Sequence, residues 1–121
     1  MNHQNPIEIY QAQDGTTQVE VRFENDTVWL SQAQMANIFD TSSDNISLHL
    51  KNIFNEAELD ENLTTEDFSV VRQEGKRQVT RKVKHYNLDA IISVGYRVKS
   101  KSATNFRIWA TARLKEYLTQ G

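Results

Sequence analysis

The chain has 121 residues, enough for one domain with one core and too short for two. A hydrophobic content of 38% with 25% charged residues fits a folded globular protein rather than a disordered one, and no apolar run is long enough for a transmembrane helix. The opening MNHQNPIEIY lacks the basic and apolar regions of a signal peptide. Cysteine is absent, which excludes disulfides, thiolate catalysis and cysteine metal sites, so a cytoplasmic location is expected.

The net charge of −2 conceals an asymmetry: residues 1–71 hold 2 Lys/Arg against 13 Asp/Glu, whereas residues 72–115 hold 12 Lys/Arg against only Glu74 and Asp89. Pooling of this kind favours a directional electrostatic surface. A solvated basic face paired with the acidic segment of the same molecule fits the counts as well.

Residues 7–30 are expected to form a β-hairpin and a short third strand. Residues 7–11 read as a strand and Asp14-Gly15 as a turn. Val19, Val21 and Phe23 then alternate with Glu20, Arg22 and Glu24, the period of a half-buried strand. Asn25-Asp26 marks a second turn, and Thr27, Val28 and Trp29 a strand feeding a helix, with Trp29 as a core anchor.

Residues 31–54 read as a helix-turn-helix. Ser31 is the expected first cap, Met35, Ala36 and Phe39 share a face, and Asp40-Thr41-Ser42 interrupts. Ser43 is the expected second cap. Ile46, Leu50, Ile53 and Phe54 then make an apolar stripe that leaves Asp44, Asn45, Ser47, Leu48, Lys51 and Asn52 outside. Ile46-Ser47-Leu48-His49-Leu50 resembles recognition helices of bacterial regulators, whose second helix enters the major groove. An ordinary helical hairpin fits the same periodicity.

Residues 55–67 are acidic and patternless. Glu56 and Asp60 have neither an apolar setting nor a nucleophile for acid/base chemistry. Residues 68–86 read as a second hairpin with Glu74-Gly75-Lys76 at its tip. It carries Arg72, Lys76, Arg77, Arg81, Lys82 and Lys84, a wing for a phosphate backbone or a charged edge that blocks aggregation. Asn87 is expected to cap a helix with Leu88, Ile91, Ile92 and Gly95 on one face. Ser102 is expected to cap a last helix with Ala103, Phe106, Ala110, Leu114 and Tyr117 inward and Ile108 outward, the helical pair spanning 88–119. Lys99 and Lys101 lie between the two. No phosphate loop or nucleophile elbow is present, and His3, His49 and His85 are scattered, so no catalysis, cofactor or metal is expected.

The stretch YNLDAIISVGYRVKSKSATNFRIWATARLKEYLTQG, with EGKRQVTRKVKHYNLD before it and DGTTQVEVRFENDTVWLSQAQMANIF near the start, resembles the RhuM-type virulence protein family. It is also similar to the Bro-N and KilA-N phage antirepressor domains. The matching positions are Tyr86, Asn87, Leu88, Asp89, Gly95, Tyr96, Arg97, Ser100, Lys101, Phe106, Arg107 and Trp109. The family pattern carries arginine at the position of Ser102, which removes one positive charge here, and glutamine at Asn105. The resemblance implies a compact α+β domain, a nucleic-acid-binding role, a link to virulence loci or mobile elements, and a C-terminal region beyond this chain.

The expectation is thus one α+β domain: a β-hairpin, a helix-turn-helix, a basic wing-like hairpin and two C-terminal helices. It would bind double-stranded DNA, as a dimer matching two half-sites, through Asn45, Ser47, Lys51, Asn52, Arg72, Lys76, Arg77, Arg81, Lys82, Lys84, Lys99 and Lys101. The alternative is a module that binds an acidic protein or its own C-terminal region.

Overall fold

A computed structural model describes residues 6–12 and 15–119, so Asp14 of the expected first turn, His3 and Gly121 lie outside the described residues. The elements are β1 Ile7–Gln11, β2 Gln18–Glu24, β3 Thr27–Ser31, α1 Gln32–Phe39, α2 Ser43–Asn55, α3 Glu61–Thr64, β4 Thr65–Glu74, β5 Arg77–Asn87, α4 Leu88–Val98 and α5 Lys101–Thr119. The strands form one antiparallel sheet in the order β1-β2-β3-β5-β4.

Strand alternation decides which face is covered. Tyr10, Val19, Val21, Phe23, Val28, Leu30 and Tyr86 fall on one side of the pleat and are all buried. Helices cover this side. Met35, Ile38 and Phe39 of α1, Ile46, Leu50 and Ile53 of α2, Ile91 and Val94 of α4 and Phe106 and Ala110 of α5 complete the core. Along α5, Phe106 and Trp109 meet Tyr10 edge-on, and Tyr117 stacks on Phe23 at 5.2 Å. Ala103, Leu114 and Tyr117 are half-buried against the core, and Ile108 is exposed as expected. Arg113 binds Glu8 across the helix–sheet boundary with Nε–Oε1 2.9 Å.

Local signals set most boundaries. Asn25 and Asp26 both take positive φ, the backbone that a two-residue turn between twisted strands requires. Ser31 caps α1 as expected, and Gln34 closes a capping box on its backbone amide. Asp40, with φ 55°, ends α1 in the left-handed region, and Asn87 caps α4.

Several expectations are corrected. Ser42, not Ser43, caps α2, because its hydroxyl accepts the amide of Asn45. Ser102 lies inside α5, and its amide is bound instead by the Ser100 hydroxyl. The acidic segment is not all connection: Asp60 caps the single turn of α3, and the strand begins at Thr65 rather than residue 68. Ile92 is on the exposed side of α4. Trp29 is buried, but on the sheet face away from the helices. There its ring packs edge-on against Phe68, which also meets His85 edge-on and lies 4.4 Å beneath the Arg22 guanidinium. This second, small layer holds the base of the β4–β5 hairpin against the sheet.

Two outcomes follow from this packing. A Cβ on Gly95 would lie 2.7 Å from the Cβ of Ala103, which cannot rotate away, so α4 and α5 would have to separate. Gly95→Ala should therefore lower stability to urea by about 1–2 kcal/mol, although alanine favours helix by about 1 kcal/mol, and Ala103→Gly should recover the loss. Burial pushes the imidazole of His85 below its ordinary pKa, and its Nδ1–H donates to the Val83 carbonyl at 2.8 Å. The unfolded chain then takes up this proton first. Stability should hold above about pH 6.5 and fall as pH drops towards 5, before the carboxylates titrate. Urea midpoints measured across that window should flatten in His85→Asn; an equal slope in both proteins would contradict the assignment.

Candidate nucleic-acid interface

The turn between α1 and α2 is residues 40–42, and α2 starts immediately after it. The inward stripe of α2 leaves Asp44, Leu48, Lys51 and Asn55 exposed at i, i+4, i+7 and i+11. This is a narrower outer face than the sequence suggested. Asn45, in the first turn of α2, is tied back to that turn, its side-chain amide donating to Thr41 Oγ1 at 2.9 Å. Ser47 and Asn52 flank the outer stripe and are half-buried, whereas Lys51 is exposed. Asn55 joins the stripe because the helix runs one residue further than expected. Continuing the helical period by one step would have found it.

The β4–β5 hairpin is a long arm. Its strands pair without interruption from Thr65↔Tyr86 to Glu74↔Arg77, yet β3 pairs with β5 only at Asn87, Tyr86 and His85. The remainder projects as a two-stranded ribbon, and nearly every residue from Ser69 to Lys82 is exposed or half-exposed. Period two splits its cations. Lys82 and Lys84 share the ribbon face of Tyr86, the face that α2 covers at the base. Arg72, Arg77 and Arg81 share the other face with Phe68, Val70, Val79 and Val83, and Lys76 sits in the turn. The arm thus displays all six expected cations, on two faces rather than one.

Two of these cations are already paired. Arg81 makes a two-pronged contact with Glu74 at 2.9 and 3.1 Å, which raises the Arg81 pKa and holds the Glu74 carboxyl below its usual range. Lys84 binds Glu61 at 3.1 Å, and this carboxylate raises its pKa. The pairs are about half exposed, so each contributes little to stability and can be exchanged for another anion. Between α2 and the arm runs a groove of about 300 Å³, lined among others by Ser47, Lys51, Asn55, Glu61, Lys84 and Tyr86. Gln32 reaches into its base and donates to the Tyr86 hydroxyl at 3.1 Å.

Lys99 and Lys101 stand apart from this groove, at the corner between α4 and α5, where Tyr96 and Arg107 line a second hollow of about 390 Å³. Lys99 takes positive φ to end α4. Arg97 is not free: it donates to Glu56 and Glu58 at 2.8 Å each, tying α4 to the end of α2. Arg97, and then Ser93, hold the Glu58 carboxyl below its usual range. Glu56 is thus half of a structural ion pair.

Among the described residues no cluster of His, Asp and Glu could hold a metal ion, and no helix is long and apolar enough to cross a membrane. Glu61→Gln should free the Lys84 ammonium without loosening the fold, so that its pKa moves down towards that of an ordinary lysine. Lysine side-chain NMR reads this directly, and an unmoved Lys84 signal would contradict the pairing.

No curated protein and no solved structure matches the chain. Residues 63–121, from the end of α3 through β4, β5, α4 and α5, match the model of the virulence protein RhuM family. Over that stretch, just under half of the chain, it is similar to the virulence protein RhuM family.

Proposed function

We propose that this chain is a double-stranded-DNA-binding module of the winged helix-turn-helix type, acting by binding and not by catalysis. In this reading α2 enters the major groove and the β4–β5 arm is the wing. The observation that carries it is the sheet order β3-β5-β4 around the helix pair. The strand that leads into α1 is hydrogen-bonded to the second strand of the hairpin that follows α2. The helix pair and the basic arm are therefore mounted on one sheet, with Lys51 and Lys84 lining the groove between them.

The roles divide by chemistry. Lys51, Lys82 and Lys84, with Lys76 at the tip, would take phosphates, and Lys84 would exchange Glu61 for one. Ser47, Asn52 and Asn55 would meet base edges, and Leu48, an exposed apolar residue at the centre of α2, would meet a thymine methyl. Arg72, Arg77 and Arg81, on the other face of the ribbon, would engage only where the duplex wraps the arm. Lys99 and Lys101 would extend the footprint at the α4–α5 corner. The family match supports a place among virulence or mobile-element proteins, and a cytoplasmic location fits the absence of cysteine.

A second reading rests on Tyr96, which is 83% exposed beside Lys99, Lys101 and Arg107. That corner suits an acidic protein partner or further chain following residue 121. Charge reversal separates the two. Lys51→Glu with Lys82→Glu should weaken binding of a DNA duplex at least about tenfold while leaving the melting temperature within a few degrees. Lys99→Glu with Lys101→Glu, the same change in net charge, should cost less than about threefold. Equal losses from both pairs would reduce the binding to unspecific charge attraction, and no loss from the first pair would remove the winged-helix reading.

A further inference from the structure

The outer strand of the arm has an open edge. In the sheet order β4 is terminal, and it runs for ten residues. The two-residue turn Gly75-Lys76, with Gly75 at φ 63°, makes Glu74↔Arg77 the closing hydrogen-bonded pair. Hydrogen-bonded pairs alternate along an antiparallel ladder, so the even-numbered residues of β4 bond to β5. Thr65, Asp67, Ser69, Val71 and Gln73 therefore direct their amides and carbonyls outwards.

Edges of this length are usually blocked by lysine, proline or a bulge. Here β4 has no proline and no bulge, and Arg72 is its one cation. Arg77, Arg81, Lys82 and Lys84 all sit on β5, the strand that is already paired on both sides at its base. These cations lie along the outer stretch of β5, which is unpaired on its far side beyond His85, and leave the edge of β4 unguarded. Val71, 64% exposed, leaves the middle of the edge apolar.

We propose that β4 pairs antiparallel with β4 of a second copy of this chain, centred on Ser69, so that the two sheets become one. A two-fold axis through Ser69 sets Glu66 opposite the second copy's Arg72 and Phe68 opposite the second copy's Val70, each pair occurring twice. Both pairs occupy non-hydrogen-bonded positions, where side chains approach most closely, and the first is an ion pair. A register centred on Val70 sets Glu66 against Glu74 instead, like charge against like. The acidic start and the Arg72 end of β4 are complementary only in the Ser69 register. The axis stands perpendicular to the sheet, so both helical faces look the same way. That last consequence is what lets two α2 helices address one duplex and rests on the DNA reading; the pairing itself does not.

Sedimentation equilibrium of the full chain tests the pairing. The chain should exceed its 14.0 kDa monomer mass in a concentration-dependent way, and a monomer persisting at about 100 µM would overturn the proposal. Arg72→Glu should raise the dimer dissociation constant at least about tenfold, and adding Glu66→Arg should restore it. No change in Arg72→Glu, or no recovery in the double variant, would overturn the register. Because the chain has no cysteine, Ser69→Cys supplies an independent readout that does not depend on charge. Two cysteines at this position would lie about 5.5 Å apart by Cα and form an intermolecular disulfide on mild oxidation. Val71→Cys should cross-link far more slowly, and the reverse order would exclude the Ser69 centre.

Discussion

Three residue pairs join the two halves of the sheet: Trp29 with Asn87, Leu30 with Tyr86, and Ser31 with His85. They bring together strands separated by the whole helix pair and the outward run of the arm, and closing that loop carries an entropic cost. What offsets it is concentrated at the junction. Leu30 and Tyr86 enter the helix-side core, while Trp29 and His85 meet Phe68 on the opposite face. The next residue along each strand begins or caps a helix: Ser31 caps α1, and Asn87 caps α4. One short ladder thus aims α1, α2, α4 and the arm at once.

Much of this was readable in the sequence, because short-range signals dominate there. The alternation of Val19, Val21 and Phe23, the Asn25-Asp26 turn, the Ser31 and Asn87 caps and the stripe Ile46, Leu50 and Ile53 each depend on a few neighbouring residues. What stayed hidden depends on contacts far apart in the chain. Trp29 is apolar enough for any core, and only the pairing with β5 shows that its pleat turns it away from the helices. The partners of Arg97 are hidden in the same way. They are Glu56 and Glu58, about forty residues away, brought close by the packing of α4 on α2. The start of β4 was missed because Thr65, Glu66 and Asp67 are polar on both faces, as edge-strand residues in solvent can be.

The candidate site was legible as a set of residue types and not as a shape. All the arm cations are exposed or half-exposed, as their chemistry requires, but the sequence could not divide them between two ribbon faces. Nor could it reveal that Arg81 and Lys84 carry carboxylate partners. Those partners lower the local positive potential in the free protein and leave cations that a phosphate can claim by exchange. Asn45 was a reasonable candidate for base reading by type. Its role in the turn became visible only with the Thr41 hydroxyl in place.

Whether α2 and the basic arm together bind a nucleic-acid duplex is read from the salt dependence of binding by the unaltered chain. Fluorescence anisotropy of a mixed-sequence DNA duplex, titrated at several salt concentrations, should give an affinity that falls steeply with salt. The slope of log K against log salt should be about −3 to −6, the four phosphate contacts of Lys51, Lys76, Lys82 and Lys84 setting the shallow end and the arginines of the arm the steep end. A flat response, or no binding at the lowest salt, would contradict the account and assign the basic arm to a protein partner.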